Sequence, residues 1–169
     1  PPTPPLVSSS AAPDVYKRQG YNLSTPLQLA KATAILANRG KIIQPHLLRD
    51  PQKESPTEQI AIKKISNWDK VIQAMEDVMH GKKGTARAHG QGLPFKMAGK
   101  TGTAQVFSLN QGKYNADEID KRLHDHSLFV GFAPVDNPKI AVAVIAENAG
   151  SGSKTAAPMA VNPVSYTHL

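Results

Sequence analysis

From Ser24 onward the apolar positions fall at helical spacing. Leu27, Ala30, Ala34 and Ala37, with Leu29 and Ile35, form one apolar face. Ser24 or Thr25 can cap that helix, Pro26 suits its first turn, and Gly40 ends it. KIIQPHLL over 41–48 predicts a short strand that Pro45 confines to a sheet edge, and the polar text of 49–59 predicts a loop. A second helix is predicted from Ser66, whose hydroxyl can cap while Asp69 complements the helix dipole, to about Gly81. Trp68, Val71, Ile72, Met75 and Val78 make its buried face. Gly84, Thr85 and Ala86 open a short helical turn before Gly90, Gly92 and Pro94 break the chain again.

In the last third the period changes from helix to strand. Residues 95–107, SLFVGFAP (127–134) and KIAVAVIAEN (139–148) read as three strands. Asp136, Asn137 and Pro138 supply turn chemistry between the last two, which predicts an antiparallel hairpin. The third run is almost continuously apolar, so it should be buried on both faces, and helices must supply the cover. The fold class expected is α+β, an antiparallel sheet covered by helices.

The two ends do not join this pattern. Residues 1–19 carry Pro and Ser in bulk with no periodic apolar face and are not expected to fold; the tail VSYTHL is equally unsupported. DVYKRQ (14–19) and PVSYTHL (163–169) resemble peptides read from sequencing-adapter DNA, so the natural segment is expected to span 20–162, with both of its ends as artificial cuts. The whole chain has 169 residues, 40% hydrophobic, which suffices for one modest core.

Charge and composition narrow the function classes. Lys and Arg total 20 against 13 Asp and Glu, a general preference for anionic partners. The basic residues are scattered, however, and four Phe, four Tyr and one Trp give little for bases to stack on, which argues against nucleic acid. With no cysteine, disulfides and thiolate metal sites are excluded. No apolar run approaches the ~20 residues of a membrane span.

One segment breaks the logic of a strand. MAGKTGTAQVF, 97–107, places a lysine, two threonines and a bare glycine within an otherwise apolar run. Alternation puts Thr101 and Thr103 on one face and Lys100 and Gly102 on the other, and a twist or bulge would bring Lys100 and Thr103 into one cleft. Gly102 leaves room for another backbone, and an ammonium with two hydroxyls beside a strand edge suits a peptide that ends in a carboxylate. Taken alone, a lysine and threonines on a strand are an ordinary solvated face.

The wider text decides between these readings. GYNLSTPLQLAKATAILANRG, KMAGKTGTAQVF and KYNADEIDKRLHDHSLFVGFAPVDNPKIAVAVIAENAG, in that order, resemble the C-terminal part of the transpeptidase domain of the penicillin-binding protein 2 family, elongation-type members of the penicillin-recognising serine enzymes. Lys100-Thr101-Gly102 matches the third of that family's motifs, S-x-x-K, S-x-N and K-T-G. The resemblance covers roughly 20–160. It implies a D-alanyl-D-alanine transpeptidase that cross-links peptidoglycan stem peptides through a serine acyl-enzyme and is acylated by β-lactams, without a cofactor. Lys100 would add positive charge and tune proton transfer. Thr101 and Thr103 would hold the substrate or β-lactam carboxylate beside Gly102, and the Thr103 backbone N–H would be an oxyanion donor. Gln105, on the face of Thr103, would contact substrate. The resemblance further implies a parent protein anchored in the inner membrane outside this chain, facing the periplasm and partnered by a lipid-linked glycan polymerase.

Two short matches do not complete the motif set. Ser151-Gly152-Ser153-Lys154 satisfies S-x-x-K and Ser108-Leu109-Asn110 satisfies S-x-N by letters alone. A working S-x-x-K needs its serine at the start of a buried helix, whereas GSGSK reads as a loop, and Ser108 opens the loop that follows the motif strand. Both are rejected, so the nucleophile is expected outside the chain and the chain alone is expected to be inactive and prone to aggregation. A β-lactam sensor or binding domain and a serine β-lactamase are the rival functions on the same fold. His124-Asp125-His126 lacks a third ligand nearby and reads as surface loop, so no metal is expected; Trp68 and the methionines read as core.

Overall fold

The computed structural model describes residues 24–47, 58–104 and 120–166. Three helices and a short helical turn pack around one sheet: α1 (Pro26–Ala37), α2 (Ser66–His80), the one-turn α3 (Arg87–Gly90), and α4 (Ala156–Tyr166). The strands are β1 (Ala98–Ala104), β2 (His126–Ala133) and β3 (Ile140–Ala146), antiparallel throughout in the order β1-β2-β3. The α+β class and the β2–β3 hairpin follow the sequence reading. The hairpin turn is closed by the Lys139 N–H donating to the Ala133 carbonyl at 2.9 Å.

The register sorts side chains onto two faces. Phe129 and Phe132, three apart on β2, point to opposite sides, and both are fully buried. On one side Phe132 and Ala98 pack with Ala37 of α1 and Ile72 of α2. On the other, Phe129 and Met97 pack with Met79 at the end of α2 and with Ala157, Ala160 and Val164 of α4. Each buried phenylalanine contributes about 1.5–3 kcal/mol. Gly99 and Gly131 are register partners, and their missing side chains make room for the Phe129 ring: a β-carbon added at Gly99 would lie 2.3 Å from Phe129 Cζ.

Helix α1 begins as its sequence requires. The Thr25 hydroxyl accepts from the Gln28 N–H at 3.2 Å while Gln28 Oε1 accepts from the Thr25 N–H at 2.8 Å, a capping box with Pro26 at the first helical position. Its buried positions are Thr33 and Ala37, one turn apart. Leu27 is 62% exposed, because the stripe that meets the sheet passes through Thr33, whose hydroxyl is satisfied by the Leu29 carbonyl at 2.7 Å. In α2 the buried positions are Ile72 and Met79, and Val71, one position round, is exposed rather than core.

Other expectations are corrected. Ser66 does not cap α2: it is the first helical residue, and the preceding turn supplies the partners instead, with the Asn67 and Trp68 N–H groups donating to the Lys64 and Ile65 carbonyls at 3.0 Å. No strand forms over 41–47. Lys41 makes a single bridge to Gln59, flanked by Ile42 N–H to Glu58 O (2.8 Å) and Ile60 N–H to Gly40 O (2.9 Å), and Pro45 has no N–H with which to extend a ladder. β3 is covered by α1 on one face and α4 on the other, yet all seven of its residues are only half-buried, as suits an outer strand of the described sheet. The polar text of 49–57 lies outside the described residues.

Helix α4 corrects the expectation that the tail from Pro163 on does not join the fold: its residues 163–166 continue the helix, and Val164 is buried. Ala156, Ala157, Ala160, Val161 and Val164 are its buried stripe, and it runs through Pro163 to Tyr166.

Candidate active-site wall

The Lys100-Thr101-Gly102-Thr103 stretch lies on β1, which has one strand neighbour among the described residues. Four restraints fix that strand. At its start, the Met97 N–H donates to His80 Nε2 at 3.0 Å and Lys96 pairs with Glu76 of α2 at 2.8 Å. The hydrogen bond and the charge of the Glu76 carboxylate hold the Lys96 ammonium above its ordinary pKa. Next, Gly99 sits beneath Phe129. Then the Thr101 hydroxyl meets the Thr85 hydroxyl at 3.0 Å. Last, the 150–155 loop crosses the strand at Gly102, where a β-carbon added to Gly152 would lie 2.2 Å from the Gly102 carbonyl oxygen.

That loop is held from below by Ser127, a fully buried hydroxyl on β2 opposite Thr103. It donates to the Ser151 carbonyl and accepts from the Ala156 N–H, each at 3.0 Å, so one side chain ties the loop and the N-terminus of α4 to the sheet. His89 of α3 reaches the Ser153 carbonyl at 2.9 Å. The backbone that approaches Gly102 is thus the chain's own.

Lys100 is exposed and its ammonium donates to the Thr101 carbonyl. Seven residue pairs from Ala98–Phe132 to Ala104–His126 run without a bulge, so the alternation of Lys100 and Thr103 between the two faces is kept. Thr101 is half-buried and Thr103 exposed. Gln105 and the Ser108-Leu109-Asn110 match lie outside the described residues. Ser151 precedes α4 by five residues, and its hydroxyl meets Ser153 Oγ at 3.0 Å. The geometry that S-x-x-K chemistry needs, a serine at a helix start, is not formed there.

Thr85 is the residue that sequence reasoning passed over at this site; its only signal was its place in a Gly-Lys-Lys-Gly-Thr turn. That turn borders a cavity of about 410 Å³ whose lining includes Asp77, Lys82, Lys83 and Thr85. A larger cavity, about 620 Å³, is lined by Arg39, Ile60, Trp68 and their neighbours and includes no β1 residue, so the motif gives it no chemistry. The His124-Asp125-His126 segment is not plain surface: Asp125 is 8% exposed and its carbonyl accepts from the Gly150 N–H at 2.8 Å. Among the described residues no group of three His, Cys, Asp or Glu is placed to hold a metal ion, and no helix is long and apolar enough to cross a membrane.

Comparison with known proteins places this wall in context. Residues 14–165 match the model of the penicillin binding protein transpeptidase domain. The peptidoglycan D,D-transpeptidase MrdA of Haemophilus influenzae is 43% identical over 157 residues, which cover 88% of this chain and 24% of that protein. Among solved structures, Pseudomonas aeruginosa PBP2 in complex with WCK 5153 superposes with a TM-score of 0.70 at 44% identity, over 88% of this chain and 31% of that one. PBP2 of Helicobacter pylori, in its complex with MreC, gives 0.73 at 26% identity, over 89% and 26% respectively. The chain therefore spans about a quarter of the length of the curated relatives it matches, 24% in the Haemophilus protein. With the family model matched over nearly its whole length and these relatives agreeing, the chain belongs to the penicillin-binding protein transpeptidase domain family.

Proposed function

We propose that this chain forms one wall of the acyl-transfer cleft of a peptidoglycan D,D-transpeptidase of the MrdA type. The observation that carries the reading is the Lys-Thr-Gly-Thr stretch, held on a strand with a single described neighbour inside a chain of this family. A serine from sequence outside this chain attacks the penultimate D-alanine carbonyl of a stem peptide, D-alanine leaves, and the acyl group passes to an amine of a neighbouring stem. The Thr103 N–H stabilises the oxyanion, Lys100 adds positive charge, and Thr101 and Thr103 bind the terminal carboxylate; Gln105 contacts substrate further along. β-Lactams are taken by the same groups.

In this reading residues 20–162 are the C-terminal portion of the domain, and residues 163–166 complete α4, with Val164 buried. The whole protein acts at the periplasmic face of the inner membrane through an anchor outside this chain. Its partners are a lipid-linked glycan polymerase and a protein of the MreC kind, as in the Helicobacter pylori complex. The 169-residue chain by itself lacks the nucleophile and is inert.

The test is a chimera in which residues 24–166 replace the matching C-terminal segment of the Haemophilus influenzae relative. Covalent labelling by fluorescent penicillin is expected, slowed at least about tenfold by Lys100→Met, which removes a charge beside the developing oxyanion. A folded, monodisperse chimera that takes no label would overturn the proposal, as would labelling of Ser151 in the chain alone.

A further inference from the structure

The Thr85–Thr101 contact carries an inference about how the carboxylate site is set, and it rests on the function just proposed. Thr85 and Thr101 are sixteen residues apart, and their hydroxyl oxygens lie 3.0 Å from each other. Thr101 leaves the strand on the face that also bears Thr103. Each hydroxyl has one proton and two lone pairs, so within the pair one donates and the other accepts.

An ionised carboxylate accepts only. If Thr101 is to bind one, its proton must go to the ligand, and the proton shared with Thr85 must come from Thr85. We infer that Thr85 is a positioning residue: it donates to Thr101 Oγ1, which leaves the Thr101 proton directed at the carboxylate of a stem peptide or β-lactam. The first bond polarises the Thr101 hydroxyl and makes it a better donor to the anion.

The mount of Thr85 suits that task. The turn that carries it is bonded to the end of α2 through Gly81 N–H to Asp77 O (2.9 Å), Gly84 N–H to Gly81 O (3.0 Å) and Ala86 N–H to Val78 O (3.0 Å). Ala86 is buried. A β-carbon at Gly84 would lie 2.4 Å from both the Asp77 and Val78 carbonyl oxygens, so the turn lies flat on the helix end. α2 in turn grips the start of β1 through His80 and Glu76. Thr85 and Thr101 thus sit on parts fixed to one another at two other points, and the donor is held in place before any ligand arrives.

The experiment compares acylation of the chimera by benzylpenicillin and by its methyl ester, which lacks the anionic carboxylate. Thr85→Val is expected to slow benzylpenicillin about tenfold while changing the ester by no more than about twofold. Thr85→Ser, which keeps the hydroxyl, should restore the wild-type rate. Thr101→Val should remove the same preference for the anion, and adding Thr85→Val to it should cost little more. Equal losses for both compounds, or no loss with benzylpenicillin while the unsubstituted chimera is acylated normally, would overturn the inference. No acylation of the unsubstituted chimera would overturn the reading of function and this inference with it.

Discussion

Gly152 rests directly on the backbone of Gly102: a β-carbon on Gly152 would come within 2.2 Å of the Gly102 carbonyl oxygen, 2.5 Å of that of Leu128 and 2.9 Å of the Gly102 nitrogen. All three are backbone atoms of paired strands, which cannot move aside as a flexible side chain would. Gly152→Ala is therefore expected to push the 150–155 loop off the motif strand, costing about 1–3 kcal/mol and slowing penicillin acylation of the chimera. Gly150→Ala is the control. It meets no atom within 4 Å, and its φ of +76° alone should cost about 1–2 kcal/mol without a comparable loss of acylation. Equal acylation losses would show that the loop's backbone conformation matters, and the Gly102 contact does not.

Ser127→Ala tests the tie beneath that loop. It leaves the Ser151 carbonyl and the Ala156 N–H without their partner in a fully buried setting, so a loss of about 1–3 kcal/mol is expected. Urea denaturation of the chimera measures it as a lower midpoint at unchanged slope. An unchanged midpoint would mean that water replaces the hydroxyl.

The Lys96–Glu76 pair predicts a pH dependence at the alkaline end. The Lys96 pKa is raised in the folded state above 10.5, so the folded state holds its proton more tightly than the unfolded chain does. Its contribution is complete below about 10.5 and is lost as pH rises through the higher folded value. Lys96→Met should accordingly flatten the fall of the melting temperature above that pH while leaving the acid limb alone. Parallel curves for the two proteins would refute the assignment.

Asn148 should behave as a latch on the turn before β2. Its amide nitrogen donates to the Arg122 and His124 carbonyls at 2.6 and 3.0 Å, and its N–H donates to His126 Nδ1 at 2.9 Å, all at a φ of +52°. Asn148→Gly keeps the left-handed backbone and loses only the side-chain bonds. Asn148→Ala loses them and adds strain, so it should be less stable than the glycine variant by about 1 kcal/mol in the same urea assay. The reverse order would show that flexibility in the unfolded chain outweighs the strain.

Much of this arrangement was legible because local chemistry and tertiary packing agree. Thr25 and Pro26 open α1 as their backbone preferences require; the helix ends at Ala37 with Asn38 as its cap, and Arg39 and Gly40 take the left-handed turn beyond it, while the Asp136-Asn137-Pro138 turn sets the β2–β3 hairpin. Where they disagree, the sequence misled. Ser66 has the right side chain for a cap, but the turn from Lys64 to Trp68 already occupies the N–H groups it would have served. The stripe of Ala156, Ala160 and Val164 was there to be read, and Pro158 falls in the first turn of α4, where no donor is needed. The motif itself was visible as letters. What braces it, Thr85, Ser127 and Gly152, comes from three distant segments, and only the fold brings those together.

The order in which these segments leave a ribosome has a consequence for the motif strand. β1 emerges well before the loop and helix that close over Gly102, so for that interval the strand lacks its brace and α4 has yet to cover the Phe129 face. The binding geometry is therefore acquired late in synthesis, when residues 150–166 dock. A nascent chain stalled between β3 and α4 would present a finished hairpin with an uncovered apolar face, the kind of intermediate on which chaperones act.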